Sequence, residues 1–232
     1  MHRLKILGFA LMAVFALSAI ASATASALPE VLNEAAEQAS QKFTGTSGAT
    51  ELIKLNGKKV ECAASTAEGL IEKGKPLGLF HIHFTNCKGL AGASCTGEGD
   101  KEKEILVLGT FHIVYDKLTS EGSLGAAILF LIPRFHFTCT LFTVKVLILV
   151  QGELLCLIKP INTFAKHFEV ICSQVSTEKP GDPAETVYWN DKGEAVNIPN
   201  GLLGEENTEA FEMSAELGEG LILTEVNVEI MA

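Results

Sequence analysis

From Phe43 onward, apolar and polar residues take turns along short runs, and Gly, Asn, Asp and Pro break the runs. A period of two marks a strand with one face in a core and the other in water. In Gly78–Phe84, Phe80, Ile82 and Phe84 fall on one face, while Leu79, His81 and His83 fall on the other. The stretch TELIKLNGKKVECA carries Asn56-Gly57, a pair favoured in two-residue hairpin turns because both positions need positive φ. Such a turn sets Leu55 opposite Lys58, Ile53 opposite Val60 and Glu51 opposite Cys62. The same texture predicts strands at Leu77–Thr85, Glu104–Asp116, Leu124–Ile132, Arg134–Thr140 and Phe142–Val150. Leu154–Ile158, Phe164–Cys172, Thr186–Asn190, Phe211–Ala215 and Leu221–Ile230 follow. Turns or loops are expected at Asp191–Gly193, Ser176–Ala184 and Pro199–Gly201.

The greasiest of these segments, Leu124 to Val150, fails as a membrane helix. Pro133, Arg134, His136 and Lys145 interrupt it, and its Val, Phe, Thr and Ile favour strands. Pro133 with Arg134 is expected to join two of them. About ten strands with almost no helical period predict an all-β antiparallel domain, a sandwich or a barrel, as one unit over residues 44–232. Ahead of it, residues 28–43 are Ala- and Glu-rich and read as a short helix or a loose leader.

The first 27 residues have a different pattern. Arg3 and Lys5 precede the uncharged apolar run Ile6 to Ile20, and small residues then recur in A-x-A steps up to Ala27. That order is expected of a secretory signal peptide, with cleavage after Ala27, or after Ala23 or Ala25. The run is short for a retained membrane anchor, which needs about 20 residues. Localisation is therefore expected to be secreted or cell envelope, with no integral membrane segment after the signal.

The chain of 232 residues carries a net charge of −10, and loss of Arg3 and Lys5 makes it more negative. An acidic exported protein repels nucleic acid and anionic headgroups, so neither is expected as a partner.

Six cysteines, an even number, fit oxidised pairs outside the cell. Cys87 and Cys95 bracket the Gly-rich loop KGLAGAS and are expected to bridge each other. For Cys62, Cys139, Cys156 and Cys172, spacing leaves all three pairings open. Cys62, Cys139 and Cys172 share parity with apolar neighbours, which predicts buried thiols or bridges rather than reactive nucleophiles.

Candidate chemistry is sparse. His81-x-His83 places two imidazoles on one strand face, where zinc or copper could be held if a third ligand arrived from a neighbouring strand. His112 and His136 have the same outward parity. There is no G-x-S-x-G, H-E-x-x-H, phosphate loop or C-x-x-C motif, and nothing in the sequence calls for a cofactor. Tyr188 and Trp189, on opposite faces of one predicted strand, are the candidate binding anchors.

Three segments carry a resemblance: F-T-G-T-S-G-x-T-x-L (Phe43 to Leu52), G-K-K-V-x-C (Gly57 to Cys62) and F-T-N-C-K-G…C-T (Phe84 to Thr96). With the signal, the chain resembles a group of uncharacterised secreted bacterial proteins, most clearly from Phe43 to Tyr115. The resemblance implies export and a β-rich, cysteine-bearing domain, and it transfers no functional residue. The reading is a non-enzymatic exported β domain that binds a small molecule, glycan or protein. The alternative is a secreted hydrolase using carboxylates or a His-bound metal.

Overall fold

The computed structural model describes residues 29–34, 40–54, 58–72, 75–118, 124–173, 187–190, 194–198, 202–207 and 212–231. The expected signal peptide, the Asn56-Gly57 turn and the loops at 176–184, 191–193 and 199–201 lie outside them. The described strands are β1 (Glu30–Asn33), β2 (Gln41–Ser47), β3 (Thr50–Lys54), β4 (Lys59–Cys62), β5 (Ala64–Ile71), β6 (Leu77–Thr85), β7 (Ser94–Gly97) and β8 (Glu104–Leu118). They continue with β9 (Leu124–Leu141), β10 (Val144–Lys159), β11 (Ala165–Ser173), β12 (Val187–Trp189), β13 (Ala195–Asn197), β14 (Leu202–Glu206) and β15 (Glu212–Met231). The one helical element among the described residues is a 3-10 turn at Leu90–Gly92.

Eight strands close on themselves in the order β8-β6-β5-β2-β15-β11-β10-β9, with β9 pairing back onto β8, and every neighbour is antiparallel. The all-β domain is therefore a barrel, which has no exposed ladder edge to guard. Alternation assigns the faces as predicted. Phe80 is buried at 1 % exposure, whereas Leu79 is 50 % exposed. Along the ladder, Phe43 pairs with Gly69, Gly69 with Phe80, and Phe80 with Gly109. Each ring thus lies over a glycine, which lets large and small positions interlock across the strands.

A second circuit forms at the end of the barrel marked by Thr85, Glu104 and Leu141, here called the upper end. There β3 pairs with β15, β15 with β14, β14 with β10, β10 with β9, and β9 with β7. Lys88 then bridges to both Ser94 and Glu61, and Glu61 lies on β4, which pairs with β3. The ring is closed, and its seam is one residue wide. Two disulfides staple that seam: Cys62–Cys87 and Cys95–Cys139, with Cα–Cα distances of 4.0 and 3.9 Å. The third, Cys156–Cys172, joins register partners on β10 and β11.

The expected Cys87–Cys95 bridge is thus corrected. The loop does bring the two backbones together, since the Cys95 N–H donates to the Cys87 carbonyl at 3.1 Å. Each side chain, however, reaches the strand on its far side, β4 for Cys87 and β9 for Cys95.

Three further expectations change. Residues 41–54 and 59–71 form one long hairpin in constant register, with Gln41 opposite Ile71, Thr50 opposite Cys62 and Leu52 opposite Val60. The predicted pairing was one residue out, since Ile53 lies opposite Lys59 rather than Val60. Pro133 does not join two strands; β9 runs through it. The register shifts opposite, between Val150 and Gly152, and a bulge is where a residue without an N–H fits. Within the expected helix or leader, Glu30–Asn33 instead pairs with β15.

Candidate functional site

The lower part of the barrel is filled. Phe43 meets Phe111 edge-on with centroids 5.8 Å apart, and Phe80 meets Phe130 at 5.0 Å. The void beside this cluster is ≈ 30 Å³, the share of a single water.

Above the aromatic layer the interior opens into a cavity of ≈ 150 Å³. Its cause is legible in the wall formed by β5, β2 and β15. Inward positions there are Ser65, Ala67, Gly45, Ser47, Gly218 and Gly220, all small, and they face Phe84, Phe137, Val150 and Leu202 from other strands. Small residues cannot reach across a barrel that the opposite wall does not overfill, so space remains.

Four hydroxyl residues line this mostly apolar cavity: Thr46, which is exposed, and Ser47, Ser65 and Thr50. Ser47 Oγ lies 2.8 Å from Ser65 Oγ and donates to the Gly48 carbonyl at 3.1 Å, so Ser65 is the donor between the two serines. The Thr50 hydroxyl has no hydrogen-bond partner among the described residues, although Thr50 is only 7 % exposed. Among the described residues, none in the lining is basic or a histidine, and the two charged ones are Glu51 and Glu219. The Glu51 carboxylate is engaged by Lys59 Nζ at 3.1 Å. Lys59 also contacts Glu61, whose hydrogen bond, ahead of that from Glu51, holds the ammonium above its ordinary pKa.

The residues picked out from the sequence lie elsewhere. His81 and His83 stand on the outer wall, and each meets its own carboxylate: His81 Nδ1 is 3.7 Å from Glu68, and His83 Nε2 is 3.0 Å from Glu104. His136 Nε2 likewise lies 3.0 Å from Glu98. Among the described residues, no three His, Cys, Asp or Glu side chains converge on a point that could hold a metal ion. Tyr188 packs against a small outer cluster of Val114, Ala127, Leu129, Leu155 and Ile198, and burial pushes its phenol up. Trp189 pairs in register with Tyr115 of β8. Both are half-buried and neither lines the cavity.

The signal that reveals the cavity was present in the sequence. Inward parity along FTGTS and ASTAEG falls on Gly45, Ser47, Ser65 and Ala67, where a filled barrel needs bulk. Compared with models of known protein families, with curated proteins and with solved structures, the chain matches none.

Proposed function

We propose that this protein is an exported, non-enzymatic binding domain that takes a small apolar molecule into the upper cavity of its barrel. The observation that carries the reading is the internal space of ≈ 150 Å³ walled by glycine, alanine and serine. A void of that size with an apolar lining holds a ligand of about the bulk of benzene. Export is supported by the pairing of all six cysteines, which fits an oxidising compartment. The apolar side of the barrel faces inward and residues such as Lys42, Glu68 and Glu229 face out, the reverse of a barrel in lipid. Among the described residues, no cavity hydroxyl is hydrogen-bonded to a carboxylate or an imidazole that could activate it, which favours holding over hydrolysis.

The test is a titration of the oxidised protein with toluene, followed by two-dimensional NMR. Shifts confined to cavity-lining methyl and ring groups, with saturation, support the reading. An unperturbed spectrum at saturating toluene overturns it.

A further inference from the structure

The unpartnered hydroxyl in the wall narrows what the cavity takes, an inference that rests on the binding role proposed above. A buried polar group without a hydrogen bond destabilises the fold unless something supplies one. Thr50 is such a group: it is 7 % exposed, lines the cavity, and presents both a donor and an acceptor. Its methyl lies over Gly218, where Cγ2 would be 2.8 Å from an added Cβ. Ser47 and Ser65 satisfy each other, which leaves Thr50 as the group that asks for a partner.

Charge decides the kind of partner. A carboxylate or phosphate entering an apolar cavity needs a cation or several donors to replace its water. Among the described residues no basic one lines this cavity, and its charged neighbours, Glu51 and Glu219, are acidic. Of the two carboxylates, Glu51 is held by Lys59 and Glu219 is exposed to solvent, so neither offers a ligand cation a buried counter-charge. A neutral head fits.

We propose that the ligand is a small neutral molecule with an apolar body and one hydroxyl or carbonyl, seated with that polar atom against the Thr50 hydroxyl.

The experiment compares phenol, toluene and benzoate on the oxidised protein and on Thr50→Val, which keeps the shape and removes the hydroxyl. Because the two neutral probes differ in their own affinity for water, the readout is the ratio of their affinities, in which that difference cancels between variants. The ratio of phenol to toluene affinity is expected to fall about tenfold in Thr50→Val, the effect of one hydrogen bond. Toluene affinity itself should stay within about twofold. Thr50→Ser retains the hydroxyl and should retain the preference. An unchanged ratio while toluene still binds overturns the Thr50 anchor and leaves the binding role standing. Benzoate binding as tightly as phenol overturns the neutral head. Failure of both phenol and toluene to bind overturns the cavity role and this inference with it.

Discussion

Phe80 lies directly across from Gly109 in the β6–β8 ladder, and a Cβ placed on that glycine would sit 2.5 Å from the ring. Phe43 stands in the same relation to Gly69, and Phe111 to Gly78. The pairs explain how the barrel accommodates these three phenylalanines without forcing the strands apart.

Gly109→Ala should therefore destabilise the barrel by about 1–3 kcal/mol, the usual range for overpacking. Chemical denaturation checks this. An unchanged midpoint would mean that both the Phe80 ring and the Leu131 carbonyl, each 2.5 Å from that Cβ, give way.

Peptide mapping without reductant should recover Cys62–Cys87, Cys95–Cys139 and Cys156–Cys172, and a fragment linking Cys87 to Cys95 would contradict the fold. The sequence separations are 25, 44 and 16 residues. On the chain-entropy account, paired Cys→Ala replacement should cost about 3 kcal/mol for the shortest loop and about 4 for the longest.

Filling the void separates fold from binding. Ala67→Leu places extra carbon into the cavity from its small-residue wall, so the folded state should persist while the toluene response disappears. Phe137→Ala works in the other direction: its ring is 2 % exposed, and its loss should cost about 3–5 kcal/mol and enlarge the cavity.

Alkaline pH should weaken the protein through two tyrosines. Burial, and then the nearby charges of Glu30 and Glu153 respectively, hold the Tyr115 and Tyr188 phenols above their ordinary value. A folded pKa above the unfolded one means that stability is fully present below about pH 10 and is lost as pH rises through the folded values. Phenolate absorbance should show a raised midpoint that returns to about 10 on unfolding. Tyr115→Phe and Tyr188→Phe should each flatten the alkaline fall in stability.

Strand parity was legible in the sequence because it is a local property. It put Phe80, Ile82 and Phe84 inside, His81 and His83 outside, and β6 at its observed limits. Closure was not legible, since the β2–β15 contact that completes the circuit joins residues far apart in the chain, Ser47 with Gly220 for example. The cysteine pairing failed for the same reason: Cys87 and Cys95 are close in sequence, and their backbones touch, but side-chain direction depends on strands that arrive from elsewhere. Pro133 was read as an end because its missing N–H normally stops a ladder, whereas a bulge on the partner strand makes that missing donor harmless. The cavity is not among the sequence expectations because FTGTS and ASTAEG lack the bulky alternation that marks a strand, so their small residues carry no facing by themselves.

The two hoops of the barrel share three staves, β9, β10 and β15, but only the upper one depends on a clasp. Lys88 closes it, and the short Leu90–Gly92 turn beside that residue belongs to none of the eight staves below. A longer turn there would leave the lower hoop's rungs intact, while the Cys62–Cys87 and Cys95–Cys139 bonds keep the clasp tied to β4 and β9. The mouth of the molecule can therefore be remodelled without renegotiating the trunk that supports it.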